Sequence, residues 1–187
     1  REMISLWIAK LGGELWLQSR YVPIQTEDGI VTEILQIVTD VTREKAREAD
    51  ERGQIAAINA NQAVVHFSLD GMVLDANAQF LHATGYALHE IIGCHHSIFV
   101  HDPDTVEYRE FWRSLARGEH KAGEYRRRRR DGEDVWLQAL YSPIFDPAGR
   151  LMKIVKYASD VTTQKLRQAD YEWQINALHK SNSVITF

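Results

Sequence analysis

Short runs of alternating hydrophobic and polar residues recur along the chain, a pattern typical of half-buried strands. In the middle of the chain they predict two strands joined by the turn Leu69-Asp70-Gly71, at Ala63–Ser68 and Met72–Asp75. Further along they predict three more strands, separated by Asp-Gly and Asp-Pro-Ala-Gly turns, at Glu124–Arg130, Val135–Ile144 and Leu151–Val161. Consecutive strands joined by short turns favour antiparallel pairing.

A helical pattern separates the two groups of strands. Asn77 begins a stretch of short helical turns that continues through Val100. Thr105–Arg117 predicts a longer helix, because its apolar residues follow i, i+3, i+4, i+7 spacing, at Tyr108, Phe111, Trp112 and Leu115. Gly118 is well placed to end this helix. The order of elements predicts an α+β fold in which helices cover one face of a five-stranded antiparallel sheet.

The chain also repeats itself at an offset of 120 residues. When residues 1–67 are aligned with 121–187 without a gap, 21 of 67 positions are identical. The segment Trp16-Leu17-Gln18 recurs as Trp136-Leu137-Gln138, and Asp40-Val41-Thr42 recurs as Asp160-Val161-Thr162. A period of this length equals a whole domain, which predicts a tandem array of similar domains.

This repeat predicts the division of the chain into five parts. They are the C-terminal strands of a preceding unit (1–42), a helical linker (43–62), one complete unit (63–162), a second linker helix (163–182) and the first strand of a following unit (183–187). Small residues recur along the first linker at heptad spacing, from Ala46 to Ala63. This spacing fits a parallel coiled coil that pairs two chains, or a helix packed on its own domain.

Composition narrows the classes of function. The chain has 26 acidic and 22 basic residues and a net charge of −4, which argues against a nucleic-acid partner. Its one cysteine, Cys94, cannot form an internal disulfide, so a cytoplasmic location is expected. No apolar run approaches the ~18 residues of a membrane-spanning helix, and no direct membrane contact is expected. No nucleophile with a paired base and no phosphate-binding glycine loop is recognisable, so no enzyme activity is expected.

The ordered motifs of residues 63–162 resemble those of a PAS domain of bacterial energy-taxis and methyl-accepting chemotaxis receptors. The resemblance is carried by Ser68-Leu69-Asp70-Gly71, Asp75-Ala76-Asn77, Thr84-Gly85-Tyr86, Phe111-Trp112, Arg129-Arg130-Asp131-Gly132, Trp136, Pro143-Ile144 and Asp160-Val161-Thr162. It implies a sensor module that binds a small molecule between sheet and helices and signals through the helix after Asp160-Val161-Thr162.

The resemblance leaves the ligand open among FAD, haem b and none. The segment from His96 to Trp112 is similar to the flavin-binding domain of aerotaxis receptors, whereas an imidazole from His95 or His96 could hold a haem iron. The candidate cofactor-binding residues are Asn77, His95, His96, Phe111, Trp112, Arg128 and Trp136. Asn77 could equally cap a helix, and the run Arg126–Arg130, to which Arg128 belongs, could be a solvated strand edge or an anchor for carboxylates or phosphates.

Two functions follow from these patterns. The first is a cytoplasmic sensor of redox state or oxygen in a chemotaxis or aerotaxis receptor, acting as a homodimer on a downstream domain of the same chain. The second is a ligand-free PAS module for dimerisation and relay, which could belong to a kinase or a diguanylate cyclase.

Overall fold

The computed structural model describes residues 2–8 and 14–181, and its backbone contacts divide the chain into two units, 1–57 and 58–187. The strands are β1 (Glu2–Ile8), β2 (Glu14–Gln25), β3 (Val31–Asp40), β4 (Ala63–Phe67), β5 (Val73–Ala76), β6 (Lys121–Arg128), β7 (Asp134–Phe145) and β8 (Leu151–Asp160). The α-helices are α1 (Thr42–Asn61), α2 (Ala78–Thr84), α3 (Leu88–Ile91), α4 (Val106–Ala116) and α5 (Thr162–Ser181), with a 3₁₀ helix at His96–Phe99.

The second unit contains a five-stranded antiparallel sheet in the order β5-β4-β8-β7-β6. Helices α2, α3 and α4 and the 3₁₀ helix pack on one face of this sheet through a shared core, formed by buried residues that include Phe80, Ile91, Phe99, Leu115, Val65, Leu137 and Ile154. The α+β fold predicted from the sequence is therefore confirmed.

The first unit contains a three-stranded antiparallel sheet in the order β1-β2-β3. Its strands β2 and β3 begin and end 120 residues before β7 and β8, and α1 begins and ends 120 residues before α5. The sheet carries many exposed apolar side chains, among them Ile4, Leu6, Val22, Ile34 and Leu35. The repeat seen in the sequence is thus matched by secondary structure at the same offset.

The side chains of β7 alternate between the two faces of the sheet, as the sequence pattern predicts. Val135, Leu137, Ala139 and Tyr141 are buried under the helices. The residues between them, which begin with Trp136, are half-buried or exposed on the opposite face. A strand sends successive side chains to opposite faces, so each residue of β7 belongs either to the core or to the outer face.

Capping residues set the ends of the helices. Thr105 Oγ1 accepts a hydrogen bond from the backbone N–H of Tyr108 at 3.2 Å, which begins α4. Gly118 follows α4 with a φ of +87°, a left-handed conformation that glycine adopts without strain. Both ends agree with the predicted helix. Strand β6 instead lies slightly earlier than predicted, because Arg129 and Arg130 form the following turn.

Helix α1 has no buried residue, and the small residues of the predicted heptad pattern that lie within it are exposed. The last residue of the pattern, Ala63, is instead buried in β4. The pairing of two chains through this helix stays a prediction. The predicted first strand of a following unit, 183–187, lies outside the described residues. None of the described helices combines the length and apolarity needed to cross a lipid bilayer.

Candidate functional site

His96 lies at the centre of the core between the helices and the sheet, with 1% of its surface exposed. Its Nδ1 is 2.9 Å from the hydroxyl of Tyr108 on α4, and its Nε2 is 3.1 Å from the hydroxyl of Tyr141 on β7. A neutral imidazole donates from one nitrogen and accepts at the other, so both nitrogens are used. Burial, together with the nearby cations Arg127 and Lys156, holds the pKa of His96 well below its ordinary value.

Two cations lie close to Tyr141, the residue whose hydroxyl contacts His96 Nε2. Lys156 on β8 is 1% exposed and Arg127 on β6 is 8% exposed. Arg127 Nη2 donates to the hydroxyl of Tyr141 at 3.3 Å, and Lys156 Nζ lies 5.1 Å from the centroid of the Tyr141 ring. Burial alone would raise the pKa of Tyr141, but these two cations bring it below its ordinary value.

This interior group, which we call the basic cluster (His96, Arg127, Tyr141 and Lys156), has no acidic member. Within residues 2–8 and 14–181, no carboxylate forms an ion pair with Arg127 or Lys156. The Nε of Arg127 is buried and has no hydrogen-bond partner among these residues. Burial lowers the pKa of the Lys156 ammonium, because the charged form loses its hydration.

The first unit offers a comparison for the basic cluster within the same chain. At the offset of 120 residues, Tyr21 corresponds to Tyr141 and Gln36 corresponds to Lys156. Gln36 Nε2 donates to the hydroxyl of Tyr21 at 3.2 Å, so a neutral donor stands where the second unit has an ammonium. The repeated sheet therefore keeps the tyrosine without requiring the cations.

The remaining candidate residues on the helical side lie around the cluster. His95 caps the 3₁₀ helix, because its Nδ1 accepts a hydrogen bond from the backbone N–H of Ser97 at 3.3 Å; the same atom lies 2.9 Å from Ser97 Oγ. The Trp112 ring, 9% exposed, packs edge-on to His96 with ring centroids 5.3 Å apart. Phe111 is half-buried, and its ring packs edge-on to Tyr141 with centroids 4.9 Å apart. Trp112 is buried in the core, and His95 and Phe111 are half-buried beside it. That any of the three binds a cofactor stays a prediction.

Asn77 acts as the N-cap of α2. Its Oδ1 accepts hydrogen bonds from the backbone N–H groups of Phe80 and Val64, both at 2.9 Å. Its Nδ2 donates to the carbonyl oxygens of Asn59 and Gln62, at 3.1 and 2.8 Å. Because every polar atom of the amide already has protein partners, the capping alternative accounts for this residue.

Arg128 and Trp136 lie on the outer face of the sheet rather than in the core. Arg128 is exposed, and its neighbour Arg127 is the member of the arginine run that points inward. Trp136 is half-buried, and the Lys165 ammonium of α5 lies 5.7 Å from the centroid of its ring. The placement of these two residues in a cofactor pocket therefore needs correction, since strand alternation turns both away from the helices.

The residues present do not fit a haem or a flavin in this core. Both nitrogens of His96 are engaged by tyrosine hydroxyls, and its ring stacks on Tyr108, so it is not arranged as an axial ligand. The His95 Nε2 lies only 2.9 Å from where a Cβ on Gly71 would stand, which places it against the β4–β5 turn. The aromatic rings that would have to enclose a flavin contact each other instead.

Sequence reasoning did not single out four of the residues that form this core site, namely Tyr108, Arg127, Tyr141 and Lys156. Arg127 was considered only as part of the run Arg126–Arg130. Two signals for them were present. Tyr141 recurs as Tyr21, and Lys156 stands at a position of β8 whose neighbours two residues away, Ile154 and Ala158, are apolar. Lysine is rarely buried, so a lysine on the same face of a strand as core residues is an informative signal.

The same hydrogen bond connects the sheet to the helix that follows it in both units, at α5 in the second unit and at α1 in the first. Thr162 Oγ1 accepts from the backbone N–H of Trp136 at 2.9 Å, and Thr42 Oγ1 accepts from that of Trp16 at 2.8 Å. In the second unit, Lys165 also forms an ion pair with Glu124 of β6 at 2.5 Å. The first turn of α5 is thus attached to two strands of the sheet.

The comparisons with known proteins agree with this architecture. Residues 73–158 match the sequence profile of the PAS fold family. The domain built from β4–β8 and α2–α4 is a PAS domain, of the kind found in taxis receptors and related signal-transduction sensors.

Over 181 residues, 96% of its length, the chain is 33% identical to the biofilm dispersion protein BdlA of Pseudomonas aeruginosa. It is 23% identical over 168 residues (86% of the chain) to the oxygen sensor protein DosP of Escherichia coli, and 30% identical over 77 residues (41%) to the aerotaxis receptor of the same species. The chain spans 43%, 20% and 15% of the lengths of these relatives.

Solved structures share the fold. A light-oxygen-voltage domain studied with a flavin analogue has a TM-score of 0.51 at 26% identity, over 65% of this chain and 93% of that domain. The PAS domain of a protein from Colwellia psychrerythraea has a TM-score of 0.52 at 21% identity, over 60% and 97% of the two chains. The second likeness shows the fold alone.

Proposed function

We propose that the chain is a sensory and relay segment of a taxis-type receptor, in which the PAS domain of residues 63–162 passes the state of its core to α5. The joint at Thr162 carries this proposal, because it connects the first turn of the helix to β7, whose inner face includes Tyr141 of the basic cluster. A change in the core that moves β7 would therefore reach the helix directly.

Hydrogen exchange of the α5 backbone tests this relay. Tyr141→Phe disturbs the cluster without touching the joint, so it should speed exchange in the first turn of α5. Arg128→Gln, at an exposed position of β6, is the matched control and should leave that exchange unchanged. Unchanged exchange in Tyr141→Phe would contradict a relay from core to helix.

A sensor of redox state or oxygen whose core rearranges to hold a haem or a flavin is the second candidate, and the names of the oxygen sensor protein DosP and the aerotaxis receptor favour it. Absorption spectra before and after dithionite, on protein expressed with added haem and riboflavin, distinguish the two. A Soret band or a yellow spectrum that bleaches on reduction would support the cofactor-bound sensor. Protein absorption alone would support the relay without haem or flavin.

The organisation of the whole receptor belongs to this proposal. Residues 1–42 are the C-terminal strands of a preceding PAS unit, and a downstream signalling domain follows in the same chain, consistent with the greater length of the relatives. The domain carries out no reaction of its own and works in the cytoplasm. Two chains pair through α1, whose Ile55 and Ile58 are exposed; light scattering after size-exclusion chromatography should give the mass of a dimer.

A further inference from the structure

The basic cluster contains more positive charge than the described protein neutralises. Arg127 and Lys156 are both at least nine-tenths buried, and no described carboxylate pairs with either. Removal of a guanidinium or an ammonium from water is costly unless an opposite charge compensates for it. Such a pair of cations inside a folded domain indicates that a negative charge enters from elsewhere.

The fold itself does not need these cations. The corresponding positions of the first unit hold Trp7 and Gln36, while Tyr21 keeps the place of Tyr141. Since an antiparallel sheet of β1, β2 and β3 forms with neutral residues at these positions, we attribute the two cations to a ligand of the second unit rather than to the sheet.

The free edge of Arg127 indicates the geometry of that ligand. Its Nη1 is used by the carbonyl oxygen of Arg126 at 2.9 Å, whereas Nε has no partner and Nη2 makes only the 3.3 Å contact with Tyr141. Nε and Nη2 form the side of the guanidinium that receives the two oxygens of a carboxylate in parallel hydrogen bonds. A planar carboxylate matches this edge.

Aromatic side chains cover the cluster on the side of α4. Tyr108, Phe111 and Tyr125 are each partly buried and pack against the core, and each has a ring contact with His96 or Tyr141. The rings of Phe111 and Tyr125 lie 5.9 Å apart, and the guanidinium of Arg127 lies over the Tyr125 ring at 4.8 Å. A ligand that approaches the cations from this side would meet apolar and aromatic surfaces.

We propose that the basic cluster binds a small organic carboxylate with an apolar or aromatic body, its carboxylate held by Arg127 and Lys156. This inference rests on the proposed sensory role of the core and names the chemical class that the core would detect. Tyr141 stands between the two cations and is the group through which binding reaches β7.

Thermal unfolding of the whole chain tests the proposal. Melting is followed with acetate, benzoate and phenylacetate, each compared with its neutral amide and with sodium chloride at the same ionic strength. At least one carboxylate should raise the melting temperature in a concentration-dependent way, while its amide and chloride should not. The variant Lys156→Gln, which installs the residue of the first unit, should bind that carboxylate about tenfold or more weakly. The exposed-site control Arg128→Gln should bind it normally.

Lys156→Gln should also melt at a higher temperature than the wild-type protein when no carboxylate is present, because it removes an uncompensated buried charge. No response to any of the three carboxylates, an equal response to chloride, or an equal response in Lys156→Gln would overturn the proposal. A phenolate absorption at neutral pH that disappears in Tyr141→Phe would overturn it too, since Tyr141 would then be the internal counterion. These measurements detect carboxylate binding only. The relay to α5 is tested separately, by hydrogen exchange of the α5 backbone without any ligand, so either proposal can fail while the other holds.

Discussion

Thr162 accepts a hydrogen bond from the backbone N–H of Trp136, and this bond fixes the first turn of α5 to the middle strand of the β8-β7-β6 half of the sheet. Two further bonds reinforce it. Asp160 Oδ1 accepts from the N–H of Thr162 at 2.8 Å, and the N–H of Val161 donates to the carbonyl of Trp136 at 2.8 Å. The Asp-Val-Thr sequence thus forms a rigid connection between sheet and helix.

Replacement of Thr162 should loosen this connection. Thr162→Ala removes the hydroxyl acceptor of the Trp136 N–H and should lower the free energy of unfolding by about 1 kcal/mol, the usual net contribution of one hydrogen bond. Hydrogen exchange in the first turn of α5 should be faster. Thr162→Ser keeps the hydroxyl and is the matched control. Equal exchange in both variants would show that the hydroxyl does not hold the helix.

His96 should make the stability of the PAS domain depend on pH. Its pKa is well below the ordinary value of about 6.5, first because it is buried and then because Arg127 and Lys156 lie nearby. As the pH falls below the ordinary pKa, the unfolded chain takes up a proton at His96 that the folded chain does not. The free energy of unfolding should therefore decrease, by up to about 1.4 kcal/mol per pH unit from this residue.

Urea unfolding between pH 7.5 and pH 5.5, chosen as roughly one unit on either side of that ordinary value, measures this slope. His96→Gln retains hydrogen-bonding groups in the core but cannot take up the proton, so its slope should be smaller than that of the wild-type chain. His82→Gln, at an exposed position of α2, is the control. A slope in His96→Gln equal to that of the wild-type chain would contradict the assignment.

Asn77 should contribute to stability and not to ligand binding. Asn77→Ala removes the cap of α2 and the bonds to the carbonyls of Asn59 and Gln62, and should cost about 2 kcal/mol of unfolding free energy. Asn77→Asp keeps the acceptor for Phe80 but loses the amide donor, so an intermediate cost is expected. Urea titration gives these values. A change in carboxylate affinity at unchanged stability would instead place Asn77 in the binding site.

The ion pair between Glu124 and Lys165 should hold the first turn of α5 against β6 while adding little to the free energy of unfolding. Both side chains are partly exposed, so a double-mutant cycle with Glu124→Gln and Lys165→Gln should give a coupling energy of about 0.5 kcal/mol. The coupling should shrink as salt is added. The pair Arg47–Glu51, exposed on α1, offers a comparison that joins no strand. A coupling that is unaffected by salt would argue against a screened surface pair.

The strands and helices of the PAS domain could be predicted because their side chains carry clear periodicity. In β7 Leu137 and Gln138 alternate in polarity, so they could be assigned to opposite faces, whereas the apolar Trp136 on the outer face carried no such signal. Helix α4 combines an apolar stripe with Thr105 at its start and Gly118 after its end. Each of these signals has a local physical cause, which makes it visible in the sequence.

The core site could be predicted only in part, because nothing in the local sequence shows which side chains of a run point into the core. Five consecutive arginines show no alternation in polarity, so the sequence did not reveal that Arg127 faces inward and Arg128 outward. The adjacent His95 and His96 posed the same difficulty, since only the turn of the 3₁₀ helix buries the second one. The hydroxyl partners of His96 come from α4 and β7, 12 and 45 residues further along the chain.

The identical joints at Thr42 and Thr162 have a consequence for how such a protein changes in evolution. Helix α1 begins at Thr42 and helix α5 begins at Thr162, and the two helices have the same length. Recombination between the two joints removes or adds 120 residues as a block and leaves every later helical residue at its former rotation about the axis. A block of this length can thus be lost or duplicated without changing the rotation of the residues in the helix that follows it.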